Sequence, residues 1–163
     1  KTVGRIRRFN AILAVALMLF FFAHATMGSL TQIIPIQNDV EWLIWTFAAL
    51  ILVHVITCVA TSFFMLTNTK NPPSKGKKQH LVLKWATGVL LLLFVFLHVT
   101  GAFNLYIPIM IMLLGILAWH SYVGVKSFTR DLNMPGSLRM PIRIALIVLA
   151  VIIAGIALYG VFF

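Results

Sequence analysis

The sequence predicts an all-α, polytopic membrane protein: five transmembrane helices in a single domain covering residues 1–163. Three observations predict it. The chain is 61% hydrophobic and 10% charged, whereas soluble globular domains average about 45–50% and about 25%. Mostly apolar windows recur that exceed the roughly 18 residues needed to cross a bilayer. All thirteen cations fall in three clusters separated by connections that lack Lys and Arg.

The clusters set the topology. Lys1, Arg5, Arg7 and Arg8 precede the first span. Lys70, Lys75, Lys77, Lys78 and Lys84 surround the loop "TNTKNPPSKGKKQH", and Lys126, Arg130, Arg139 and Arg143 surround "KSFTRDLNMPGSLRMPIR". The connections near "QIIPIQNDVE" and "FNLYIP" carry no cation, and the first of them holds Asp39 and Glu41. This alternation is the positive-inside pattern of a chain with a cytoplasmic N-terminus and an external C-terminus. Five is the odd number of spans that fits. The net charge of +10 therefore orients the protein rather than marking it for nucleic acid, with anionic lipid or a docked cytoplasmic partner as secondary readings. The single cysteine, Cys58, lies mid-span and excludes a disulfide framework.

Each element follows. Span one covers about 9–30. Its Arg7-Arg8 pair, apolar run and Ala23-His24-Ala25 triplet imitate a cleavable signal peptide, but the segment is part of the chain and reads as a span. Span two covers about 41–66, span three about 82–103, span four about 106–126 and span five about 141–162. All are expected to be helices, because lipid offers the backbone no hydrogen-bond partner. Pro72-Pro73 and Pro135-Gly136 break the chain in the two basic loops. Pro108 falls in the first turn of span four, where a missing N–H costs little. The short turn before it makes spans three and four antiparallel neighbours.

Of five histidines, His24, His54, His98 and His120 fall inside spans, and His80 falls in a basic loop, where solvation is expected. Ionisable groups inside a membrane are costly and mark functional positions by default; the plainer alternative is a neutral ring bonded to a backbone carbonyl. Depth follows from a rise of about 1.5 Å per residue. His24 and His98 come out at one level, roughly 9 Å from the outer face, and His54 and His120 at another, roughly 9–10 Å from the inner face. Two imidazoles at one level on two helices can clamp a single metal centre from opposite sides, as a bis-His haem requires. Gly28 and Gly124 stand four residues after His24 and His120, and Gly101 three after His98. Such small residues let a planar guest approach the backbone, although helix–helix packing also favours them. Zinc and di-iron sites want more ligands at one level, and no span carries an acid for a Ser-His-Asp arrangement.

One histidine on each of the first four helices of a five-helix chain, with "HSYVG" followed by Lys126, Arg130 and Asp131, resembles the dihaem cytochrome b membrane anchor of the succinate dehydrogenase and quinol:fumarate reductase superfamily. The resemblance covers nearly the whole chain in topology. It implies a haem-binding four-helix bundle plus a fifth helix, with two haem b groups. His24 and His98 would ligate the outer haem, His54 and His120 the inner, in agreement with the depth count. It further implies electron exchange between membrane quinone (menaquinone or ubiquinone) and flavoprotein and iron–sulfur subunits on the cytoplasmic side of a bacterial inner membrane. Lys126 and Arg130 are placed to pair with propionates of the inner haem or, equally, to orient the span as membrane-edge cations. Glu41 is the candidate for proton handling at a quinone; its alternative is a solvated loop acid. The chain departs from the family in its short loops and in Ala118, where some members carry a membrane Glu used in proton transfer. Two alternatives stand beside this reading. One is a non-haem scaffold or small transporter with structural histidines. The other is a haem anchor of another respiratory oxidoreductase, though nitrate reductase and hydrogenase anchors place two histidines on one helix.

Overall fold

The computed structural model describes residues 2–30, 41–100 and 106–162. Its regular elements are helices: α1 (Thr2–Leu30), α2 (Glu41–Leu66), α3 (Lys75–Thr100), α4 (Tyr106–Asp131) and α5 (Arg139–Phe162), with a single 3₁₀ turn at Gly136–Leu138. All five α-helices are long and apolar enough to cross a membrane. The chain has the build of a multi-pass membrane protein.

Three boundaries differ from the expected spans, all in basic segments, the first being the start of α1 at Thr2 rather than near residue 9. α3 begins at Lys75 rather than near residue 82. Pro72-Pro73 holds the chain extended, and the Ser74 carbonyl then accepts the Lys78 N–H at 3.0 Å to open the first turn. Lys and Gln are good helix formers, so nothing stops the helix before the apolar run. His80 is consequently helical rather than a solvated loop residue. It is half-buried, with Nε2 3.1 Å from Ser127 Oγ on α4. α4 likewise continues beyond residue 126 to Asp131. It is capped by Asn133, which adopts a left-handed φ of 56°. The Asn133 N–H donates to the Arg130 carbonyl at 3.1 Å and the Met134 N–H to the Thr129 carbonyl at 2.8 Å, the two bonds of a Schellman cap.

α4 and α1 organise the bundle. α4 packs along α3, α5 and α1, while α1 also packs along α2 and α5. The buried core, which includes Phe22, Leu114, Leu117, Val125, Phe128 and Ile153, lies where α1, α4 and α5 meet. Polar contacts fasten the basic end. Arg7 of α1 is ion-paired with Asp131 of α4. Arg143 of α5 lies 4.4 Å over the Tyr122 ring and donates to the Tyr122 carbonyl at 3.3 Å. Arg139 donates to Thr129 Oγ1 at 3.1 Å.

α2 is the exception. None of its described side chains is buried, and its packing is chiefly on α1. Phe47 of α2 meets Phe20 and Phe21 edge-on at centroid distances of 5.0 and 4.7 Å. Nearer the basic end, Thr57 Oγ1 donates to Asn10 Oδ1 at 2.6 Å. Toward α3, Trp85 Nε1 donates to Ser62 Oγ at 3.1 Å. The space between α2 and α3 is thus spanned without being filled.

Candidate functional site

That space is a cavity toward the basic end, lined by residues of α1, α2, α3 and α4, and it holds both His54 and His120. The space between the helices there amounts to about 1190 Å³, including the part open to the surroundings. A second cavity of about 500 Å³ lies toward the far end, between α1, α3, α4 and α5, and both His24 and His98 line it. The four histidines are therefore sorted two and two, each pair drawn from two different helices. The pairs are those expected from depth.

The two rings of the basic-end cavity are held differently. His120 Nδ1 lies 3.0 Å from Thr87 Oγ1 of α3. His54 Nε2 lies 3.7 Å from Cys58 Sγ, and Cys58 in turn accepts from Asn10 Nδ2 at 3.4 Å. His54 Nδ1 is buried and makes no hydrogen bond to the described protein. A buried polar nitrogen without a partner is rare and calls for an explanation. It belongs to a ring that lines the cavity.

The glycines separate into three cases. Gly124 lines the basic-end cavity, and a Cβ added there would find nothing within 4 Å. Helix packing does not require its lack of a side chain, and an added methyl would project into open space. Gly28 does not line the far-end cavity, where Ala25 and Ser29 are the small α1 residues. A Cβ at Gly28 would stand 3.7 Å from Met110 Cε, so Gly28 serves the α1–α4 contact. Gly101 lies outside the described residues. Asp39 is outside them as well, and Glu41 is the first residue of α2 with its side chain undescribed.

Lys126 and Arg130 line neither cavity; Arg130 Nε is instead 2.9 Å from Asp131 Oδ1. The cation that lines the basic-end cavity is Lys84, one turn before Gly88 on α3, and the Arg7-bound Asp131 lines it too. Thr87, Gly88, Lys84 and Asn10 are thus site residues that the histidine pattern does not single out. The depth count extended to hydroxyls would have found Thr87, because it lies about as far into span three as His120 lies into span four.

The donor set limits the chemistry. Among the described residues no group of three or more His, Cys, Asp or Glu converges, so each cavity offers two imidazoles across an apolar space. That suits a centre that brings its own equatorial ligands and takes two axial nitrogens from the protein. The basic-end cavity fits such a group on three counts: a ring nitrogen without a partner, open space at Gly124, and a cation at the rim for acidic substituents. The chain matches no family model, no curated protein and no solved structure.

Proposed function

We propose that the chain is a dihaem cytochrome b that anchors a quinone-linked oxidoreductase in the membrane, of the succinate dehydrogenase or fumarate reductase type. The observation that carries this reading is the sorting of four intramembrane histidines into two cavities, two rings in each. His54 and His120 would hold one haem b, and His24 and His98 the other. When bound, a bis-His haem supplies a one-electron carrier, so two of them link the membrane faces in steps.

The chain's own residues supply position and environment. His54 and His120 are presented from α2 and α4, two helices joined through α1 and, by the Trp85–Ser62 bond, through α3. Leu17, Leu91 and Leu117 are among the apolar walls of the basic-end cavity; they exclude water, which shapes the potential of a bound centre. Lys84 stands where it neutralises acidic groups at the rim. The basic loops would face the cytoplasm of a bacterial cell, with flavoprotein and iron–sulfur subunits docking against them. The N-terminus would be cytoplasmic and the C-terminus external. At the opposite face, menaquinone or ubiquinone would react, with Glu41 as its proton-handling group.

The reduced-minus-oxidised spectrum of the purified chain tests the proposal. A b-type α band with two haems per chain is expected. His24→Ala and His98→Ala should each remove one and the same haem, and His54→Ala and His120→Ala the other. A colourless protein with its helices intact overturns the reading, as does loss of one and the same haem from His24→Ala and His54→Ala.

A further inference from the structure

α3 contributes no histidine to the basic-end cavity, yet two of its residues are set against His120. Thr87 is fully buried, at 0% exposure. Its hydroxyl lies 2.9 Å from the Leu83 carbonyl and 3.1 Å from the Lys84 carbonyl, and donates its single proton to this pair. Carbonyls only accept, so Thr87 Oγ1 has lone pairs left for a third neighbour, His120 Nδ1 at 3.0 Å. With the hydroxyl proton on the carbonyls, that contact is a hydrogen bond when Nδ1 carries the ring proton. The other nitrogen, Nε2, is then bare. Gly88 makes the approach possible: a Cβ there would stand 3.2 Å from His120 Cε1 and 3.7 Å from Nδ1, the first tighter than an ordinary contact.

We infer that Thr87 and Gly88 form a seat that fixes His120 in the Nδ1-protonated tautomer and turns a bare Nε2 to the cavity as its metal-binding atom. Thr87 is thus a positioning residue. In the metal-bound state its hydrogen bond raises the basicity of the ligating nitrogen. The same helix carries His98 in the far-end cavity, so α3 serves one site by ligation and the other by orientation. The role toward bound haem rests on the dihaem reading; the tautomer does not.

The test therefore has two arms. In the first, the haem-free chain is labelled with ¹⁵N-histidine in lipid bilayers, and the His120 signals are identified by their loss in His120→Gln. Wild type and Thr87→Ser should show protonated Nδ1 and bare Nε2, while Thr87→Val, which keeps the shape but not the acceptor, should gain the Nε2-protonated form. A wild-type ring protonated at Nε2, or a Thr87→Val spectrum equal to wild type, overturns the inference. In the second arm, Thr87→Val should raise the midpoint potential of the haem that His54→Ala removes and leave the other haem unchanged, with Thr87→Ser restoring the wild-type value. Two unshifted potentials at full haem content would overturn the role of the bond. A colourless wild type that still shows the expected tautomer would overturn the dihaem reading and leave the seat standing.

Discussion

Gly124→Ala separates space kept for a guest from space kept for a neighbouring helix. In the haem-free chain the added methyl meets nothing within 4 Å, so no contact opposes it. Replacing glycine by alanine inside a helix gains about 1 kcal/mol, about fivefold in the folding equilibrium. The haem-free variant should therefore unfold at a higher temperature than wild type. On the dihaem reading, the same methyl would enter the cavity that the haem is proposed to fill. Overpacking of that kind costs about 1–3 kcal/mol, which corresponds to roughly 5- to 150-fold weaker loading of the basic-end site. Thermal unfolding of the haem-free chain and haem titration by absorbance measure the two terms separately. Opposite signs are expected: a stabilised empty chain and weaker binding of one haem of the two. A variant that loads both haems as tightly as wild type would refute the assignment of this cavity, whatever its unfolding temperature.

Two further outcomes follow from other parts of the structure. Lys84→Met should weaken loading of the basic-end haem roughly 2- to 5-fold, as expected for a partly exposed charge pair of about 0.5–1 kcal/mol, while Lys126→Met changes it less; haem titration of both variants checks the order. Asn133→Val should cost about 1–2 kcal/mol, because its left-handed backbone crowds a side chain branched at Cβ, and Asn133→Gly should not; thermal unfolding distinguishes them.

The long-range frame was legible because membrane insertion imposes simple rules. Lipid forces helices, helix rise converts residue number into depth, and charge marks loop ends. Those rules predicted five spans and placed His24 with His98 and His54 with His120. They say nothing about rotation around each helix axis. Gly28, four residues after His24, proved to face Met110, and Ser29 lines the cavity instead. Lys84 reaches the cavity lining while Lys126 and Arg130 do not, a matter of helical phase rather than depth. Depth counted for hydroxyls as well as imidazoles puts Thr87 level with His120, but its contact with the ring also needs α3 and α4 in one rotational register. The lysine-rich segment before span three looked like a loop because charge signals solvent, but solvated lysines form helix readily. His80 moved with it, from an expected loop to a hydrogen bond with Ser127.

The weakly attached second helix has a consequence for how such a protein matures. With no buried side chain of its own among those described, α2 gains little from closing over an empty cavity. A planar guest joined to both His54 and His120 would bridge it to α4 and complete the wall. On the dihaem reading, insertion of such a guest would be the last folding step rather than an event after folding. A cell could tell finished from unfinished copies by the looseness of one helix. On the same reading, chains made without the guest would keep a second span more open to proteolysis than finished ones.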